Sequence, residues 1–122
     1  MATIRKAKQF IVGVVAGTPQ TPETQGLLVA IERQTGARPQ IAYGAADTLL
    51  AELSEGKSDL VLGAFEKDSP WKTEVAFAPA LSSTKIGNGI IEVKAAMRNG
   101  ENSWIMLVER ASRSVSKKAG NQ

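Results

Sequence analysis

The feature that most constrains the fold is an unbroken apolar run, Leu60 to Phe65, which follows closely on an amphipathic helix pattern. A run of this length without alternation is typical of a parallel strand that is covered on both faces. The helix pattern has apolar residues at i, i+3, i+4 and i+7, namely Ala46, Leu49, Leu50 and Leu53. Gly56 favours a left-handed end to this helix. The stretch from Leu49 to Pro79 therefore predicts a helix, a turn, a buried strand, a polar loop and a further strand.

The residues before this stretch predict two more strands and one more helix. Gln9 to Val15 is rich in β-branched residues and predicts the first strand. Glu23 to Thr35 predicts a helix capped by Thr21 or Thr18, and Gln40 to Tyr43 predicts a short strand. The order is then strand, helix, strand, helix, strand. With right-handed crossovers, this order gives a parallel three-stranded core with helices on both faces.

The residues after Pro79 predict a connector, a strand and a final helix. Ser82 to Gly89 is polar and contains glycine, which favours a flexible connector, whereas Ile90 to Arg98 alternates as a strand does. Asn102 or Ser103 can cap the last helix. Residues 113–122 are predicted to form a flexible basic tail. The fold class is therefore a three-layer α/β domain with a mixed sheet of about five strands, the last one antiparallel.

Composition favours one domain and argues against catalysis. The chain has 122 residues, close to the commonest domain size, and 43% of them are hydrophobic. It contains neither cysteine nor histidine, so disulfides, thiolate chemistry, the usual zinc ligands and a His-based triad are excluded. We therefore predict a protein that is not an enzyme and that holds no cofactor or metal.

The net charge of +3 is concentrated at the two ends of the chain. The basic residues there are Arg5, Lys6, Lys8, Arg110, Arg113, Lys117 and Lys118. They are not interleaved with aromatic residues, so we predict solvated ends and no nucleic acid partner. A basic start followed by the short apolar run Phe10 to Ala16 resembles the pattern of a signal peptide, but we interpret this run as the first strand. No run is long enough for membrane insertion.

Two stretches together resemble a known family. The first carries Leu50, Leu53, Gly56, Lys57, Asp59, Leu60, Ser69, Pro70, Trp71, Lys72, Val75, Ala76 and Phe77. The second carries Arg98, Gly100, Glu101, Asn102, Trp104, Glu109 and Arg110. Both resemble the first lobe of type 2 periplasmic solute-binding proteins, which are the amino-acid receptors of bacterial ABC transporters (extracellular solute-binding protein family 3). The resemblance covers about residues 9–112, on both sides of a second lobe for which this sequence has no room.

The resemblance implies one lobe with strand order 2-1-3-5-4. It also implies a non-enzymatic protein that binds an amino-acid-like or other small polar organic solute, with the membrane subunits of an ABC transporter as further partners. The implied location is the periplasm if a signal peptide has been removed, and the cytoplasm if Met1 is the native start. The alternative function is a structural or interaction module that has kept the lobe but lost solute binding.

The candidate ligand site lies in the loops after the first and third predicted strands, because open α/β sheets place ligands at the carboxyl ends of their strands. The candidate ligand-binding residues are Gly17, Thr18, Glu23, Phe65, Glu66, Asp68, Ser69, Trp71 and Lys72. In the family, a hydroxyl and an arginine hold the ligand carboxylate. The matching positions here are Glu66 and Trp71, and neither can do this, although Lys72 offers a nearby charge.

Several of these residues have a second interpretation. Trp71 is either a stacking wall for a flat or cationic ligand, with Glu66 or Asp68 as counter-charge, or a residue packed beneath its own loop. A lone lobe should also expose apolar surface around Trp71, Phe77 to Leu81 and Ile90 to Val93. Because exposed apolar patches usually mark interfaces, we predict a homodimer.

Overall fold

The structure, a computed structural model, describes residues 8–120 and the side chains of residues 8–115. The strands are β1 (Gln9–Val15), β2 (Arg38–Gly44), β3 (Leu60–Glu66), β4 (Val75–Phe77), β5 (Ser82–Ile86) and β6 (Gly89–Arg98). The helices are α1 (Pro22–Thr35), α2 (Ala46–Ser54) and α3 (Asn102–Gly120), with a short 3-10 helix at Pro70–Thr73.

One mixed sheet contains all six described strands, in the order β2-β1-β3-β6-β4, with β5 also paired to β6. β1 is parallel to β2 and to β3, whereas β6 is antiparallel to β3, β4 and β5. The predicted α/β fold and its parallel core are confirmed. The predicted order 2-1-3-5-4 is also confirmed, because the strand expected at Ile90 to Arg98 is β6.

The flexible connector predicted at Ser82 to Gly89 is wrong, because this segment is strand β5 and a tight turn. β5 and β6 form a hairpin in which Ile86 pairs with Gly89, so that only Gly87 and Asn88 make the turn. Gly87 has a φ of 59°, a value that hairpin turns with glycine at the first central position require. β5 is polar at four of its five positions and exposed throughout, so its sequence shows no alternation of apolar and polar residues.

Helices cover both faces of the sheet. α1 and α3 pack on one face over a core that includes Phe10, Val12, Leu60, Leu62, Met97 and Trp104. α2 packs on the other face over Val61, Phe65, Val75 and Ala96. Successive residues of β3 therefore point into two different cores, which explains why its sequence is apolar without alternation.

The helix ends follow the predicted signals. The hydroxyl of Thr21 accepts a hydrogen bond from the backbone N–H of Thr24, and the Thr24 hydroxyl accepts one from the Thr21 N–H, which completes a capping box at α1. After α2, Gly56 has a φ of 81°, and the Lys57 N–H donates to the carbonyl of Glu52 at 2.9 Å. This six-to-one bond is the closing interaction of a Schellman motif, and it aims the chain at β3.

Asp59, at the start of β3, makes hydrogen bonds that join β3 to β1 and to α3. Its backbone N–H donates to the Ile11 carbonyl at 2.9 Å, and its carboxylate accepts from the Ile11 N–H at 2.7 Å. Its own carbonyl accepts from the indole N–H of Trp104 at 2.7 Å. Asp59 therefore sets the register between β1 and β3 and holds α3 against them.

The last helix is longer than predicted. Its backbone is helical to Gly120, past the boundary expected at residue 112. The flexibility of residues 113–122 stays a prediction. Arg5 and Lys6 lie outside the described residues, and so do the side chains of Lys117 and Lys118. The proposed basic ends are therefore described only in part.

We predict that Leu50→Ala lowers the free energy of unfolding by about 2–5 kcal/mol, because it removes a fully buried side chain and leaves a cavity under α2. Urea denaturation followed by circular dichroism measures the change. The control is Val29→Ala, since Val29 is 47% exposed on α1 and should change stability by less than about 0.5 kcal/mol. Equal effects of the two substitutions would contradict the assignment of Leu50 to the core.

Candidate functional site

The carboxyl ends of β1, β2 and β3 meet at one edge of the sheet. We define the carboxyl edge as these three strand ends with segments 16–21, 44–46 and 66–74. The Ala16 N–H donates to the Gly44 carbonyl at 2.9 Å, which joins the exits of β1 and β2. The backbone N–H of Lys67 donates to the carbonyl of Ile90, also at 2.9 Å, so the exit of β3 lies beside the hairpin.

The central strand is uncovered at this edge. β3 is buried from Leu60 to Gly63, but Ala64 and Glu66 are exposed. α1 and α3 therefore cover this face of β3 only over its first half. The remaining surface is an open floor at the middle of the sheet, where ligands of open α/β sheets bind. Ala64 was not among the predicted site residues, since nothing in its sequence neighbourhood distinguishes it from the buried residues around it.

The loop after β1 is held by its own backbone. The Thr18 hydroxyl donates to the Val15 carbonyl at 2.6 Å, and the Thr18 N–H donates to the same carbonyl at 3.0 Å. Gly17 is exposed beside this turn. Glu23 lies in the first turn of α1 and is half-buried. Thr18 therefore shapes the loop, while Gly17 contributes accessible backbone at the carboxyl edge.

The loop after β3 is a capped 3-10 helix. Ser69 is buried, and its hydroxyl accepts from the Trp71 backbone N–H at 3.2 Å. The indole of Trp71 is half-buried and packs against the core beneath α2. The packing interpretation of Trp71 is therefore supported, and the stacking interpretation stays a prediction. Ser69 acts as the cap that fixes this arrangement.

Phe65 belongs to the core beneath α2. It is 6% exposed, and its ring lies 5.2 Å from the ring of Phe77 at an interplanar angle of 50°. In this position it presents little surface of its own at the carboxyl edge.

The charged side chains of this loop are accessible. Glu66, Asp68 and Lys72 are all exposed, and none of the three takes part in an ion pair or side-chain hydrogen bond within residues 8–115. Each therefore keeps its full hydrogen-bonding capacity. The edge offers two carboxylates for a cationic group and one ammonium for an anionic group, in the same loop as Trp71.

A buried ion pair lies next to the site. The Lys94 ammonium donates to the Glu92 carboxylate at 2.8 Å and stands 4.6 Å from the centroid of the Phe77 ring. The Lys94 side chain is only 6% exposed and that of Glu92 is 19% exposed. The alternation predicted for this strand places Glu92 and Lys94 on the face opposite to its apolar residues. The sequence signal for the pair was opposite charges two residues apart, which share one face of a strand.

A small cleft lies at the opposite edge of the sheet. It measures about 50 Å³ and is lined by Gly56, Ser58, Asp59, Arg98, Glu101 and Trp104. Small-molecule sites usually measure about 300 Å³ or more, so this cleft suits water molecules. The hydroxyl of Ser58, a lining residue, is buried and has no hydrogen-bond partner among the described residues. Within residues 8–115, no group of three or more carboxylates is placed to hold a metal ion.

The exposed apolar surface differs from the prediction. Ala78, Leu81 and Val93 are buried, because the β4 to β5 segment pairs along the outer edge of β6. Ile90 is exposed at 37%, as predicted, whereas Ile86 at 62% and Tyr43 at 68% are exposed outside the predicted segments. Ile86 and Ile90 lie at the end of the β5–β6 hairpin, next to its turn, and Tyr43 lies near the carboxyl end of β2.

Comparison with solved structures shows close similarity to amino-acid-binding proteins. The arginine-bound domain 1 of TmArgBP matches with a TM-score of 0.78 and 18% identity, over 93% of this chain and 98% of that one. An amino acid ABC transporter substrate-binding protein of Streptococcus pneumoniae, bound to L-arginine, matches with a TM-score of 0.79 and 9% identity. That match covers 97% of this chain and 92% of the other. This chain therefore has the fold of one lobe of such proteins.

A third match shows where this chain is shorter. The arginine-bound form of truncated ArgBP from T. maritima matches with a TM-score of 0.76 and 11% identity, over 94% of this chain and 100% of that one. Its stated residue range is well above the 122 residues of this chain. The alignment spans the whole of the longer chain, although this chain has fewer residues. The longer chain therefore has an internal stretch that this chain lacks.

Models of known protein families gave no match, and neither did the curated proteins. Among the described helices, none is both long enough and apolar enough to cross a membrane.

We predict that Glu92→Gln lowers the free energy of unfolding by about 1.5–3 kcal/mol, because a buried ammonium loses its charged partner. The double variant Lys94→Met with Glu92→Leu should be more stable than Glu92→Gln, since it leaves no unpaired buried charge. Urea denaturation compares them. The control is Glu55→Gln, which removes an exposed pair with Lys57 and should cost less than about 1 kcal/mol. If Glu92→Gln were as mild as this control, the Lys94 pair would be solvated.

Proposed function

We propose that this protein is a non-enzymatic binding protein for a small polar organic solute, and that the solute is an amino acid or resembles one. The observation that carries the proposal is the open floor at the carboxyl edge, where Ala64 and Glu66 of the central strand are exposed. The structural neighbours that share this fold are arginine-bound solute-binding proteins, and L-arginine is therefore the first ligand to test.

The accessible groups of the carboxyl edge supply complementary contacts for such a ligand. Glu66 and Asp68 can accept hydrogen bonds from a guanidinium or ammonium group. The Trp71 indole can pack against the flat face of a guanidinium. Lys72 provides an ammonium for a ligand carboxylate, although as a point charge it cannot make the two parallel bonds that an arginine makes. In this proposal, Gly17 and Glu23 line the opposite side of the site.

The proposed affinity is weak for a single copy. Small-molecule sites usually bury most of the ligand surface, and one lobe encloses little of it. In the wider proposal the protein acts in the periplasm as a relative of ABC-transporter substrate-binding components, with the membrane subunits of such a transporter as further partners.

We expect L-arginine to raise the melting temperature and to release or absorb heat in titration calorimetry. A set of other amino acids, polyamines and organic acids, measured in the same way, ranks ligand classes. A folded protein that responds to none of them overturns the proposal and favours a structural or interaction module.

Two substitutions locate the site. Glu66→Gln should weaken arginine binding roughly 10- to 150-fold, because one charged hydrogen bond contributes about 1.5–3 kcal/mol. Trp71→Ala should weaken it as well, through loss of the stacking surface. The matched control is Glu55→Gln, an exposed carboxylate after α2 and away from the carboxyl edge. Binding that is equally insensitive to Glu66→Gln and Glu55→Gln would place the ligand elsewhere.

A further inference from the structure

The end of the β5–β6 hairpin is an exposed apolar projection. We define the hairpin tip as Ile86 to Ile90, which contains the two-residue turn and its flanking residues. Ile86 and Ile90 are two of the large exposed hydrophobic residues of the described chain, and every residue of β5 is exposed. A projection with two exposed isoleucines and little polar cover is typical of a contact surface.

The hairpin tip and the candidate site form one continuous surface. Ile91 pairs with Glu66 across the sheet, and the Lys67 N–H binds the Ile90 carbonyl. The hairpin therefore stands directly beside the loop that carries Asp68 and Trp71. A molecule that covers the hairpin tip from the side of β3 also meets the carboxyl edge.

A longer relative has an internal stretch that this chain lacks, and its absence is consistent with an uncovered surface next to the β5–β6 turn. A longer relative matches this chain on both sides of an additional stretch. The β5–β6 turn is a position that can receive such a stretch without disturbing the two cores, because Gly87, Asn88 and Gly89 are exposed and no atom lies within 4 Å of a Cβ added to Gly87. Here the turn has two residues, so a surface next to it stays open.

A stable protein–protein interface needs more surface than the hairpin tip provides. A stable contact buries about 800 Å² on each partner, which is about 20–30 residues a side. The hairpin tip has far fewer residues, so the rest comes from adjoining exposed surface, which includes β5 and the loop of the carboxyl edge. A contact that extends onto this loop covers the candidate site.

The charges of this surface suit a second copy of the same surface. Within the described chain, it carries both signs without internal ion pairs: Glu66, Lys67, Asp68, Lys72 and Glu74, with Lys85 next to the hairpin tip. In a two-fold contact the patch faces itself, so the lysines of one copy can meet the carboxylates of the other. A strongly acidic or basic partner would leave one set of these charges opposed.

We propose that two copies of this chain dock through the hairpin tip and the carboxyl edge, so that each copy closes the candidate site of the other. The ligand part of this inference rests on the proposed function, whereas the contact between the two copies does not depend on it.

The shared site has a thermodynamic consequence. A ligand enclosed between two copies binds the dimer better than the monomer, and therefore strengthens dimerisation by the same factor.

Sedimentation velocity and light scattering across a dilution series test the contact, with and without saturating L-arginine. We expect a dimer at high micromolar concentration that persists to lower concentration with arginine. The variant Ile86→Lys with Ile90→Lys should raise the dimer dissociation constant roughly tenfold or more, since it removes apolar contact and adds like charges next to a two-fold axis. Circular dichroism confirms that it folds, as expected for two exposed positions.

The matched control is Val29→Lys with Met106→Lys, which makes the same change at two exposed apolar residues of the helices, away from the hairpin. This control should dimerise as the unchanged protein does. A monomer at every concentration, or a dimer that the hairpin variant leaves intact, overturns the docking. A monomer that binds arginine would overturn it and leave the proposed function standing. A dimer that the hairpin variant breaks and that arginine does not strengthen supports the docking and overturns the shared site.

Discussion

The structure depends on the hydrogen bonds that Asp59 makes at the start of the central strand. Two of them join Asp59 to Ile11, and they fix the register of β1 against β3. Because side chains alternate along a strand, a slip of one residue would exchange the two cores. Gly13 also lets β1 pass close under α2, since a Cβ added there would lie 2.9 Å from a terminal methyl of Leu49. The third bond brings Trp104 and α3 onto this end of the sheet, which leaves the carboxyl edge uncovered.

The fold was predictable where burial leaves a periodic pattern in the sequence. β1, α1, α2 and β3 were recognised because each buries apolar residues at the spacing of its own geometry. β5 was missed because it is exposed throughout and owes its structure to pairing with β6. Its available signal was Gly87-Asn88, a dipeptide that favours two-residue hairpins. The length of α3 was missed because its last residues are polar and carry no apolar stripe.

The candidate site was predictable in position but not in detail. The rule that ligands meet the carboxyl ends of parallel strands brought together segments distant in sequence, including Gly17 and Trp71. The rule does not distinguish side chains that support a loop from side chains that face a ligand. Ser69 became a buried cap and Phe65 a core residue, because their roles depend on how the 3-10 helix folds back over the core. Lys94 was missed because strand alternation assigns a lysine to solvent, whereas this lysine is buried and its ammonium lies over the Phe77 ring.

The two-residue turn changes how a lobe of this shape can respond to a ligand. Strands that lead into a second lobe can bend independently, and the cleft between two lobes can then close. Here β5 and β6 are paired from Ser82 with Val93 up to Ile86 with Gly89, so each holds the other in register. Bending one strand would break several backbone hydrogen bonds at once. Closure over a ligand at the carboxyl edge therefore has to come from the loop around Trp71 or from a molecule outside the chain.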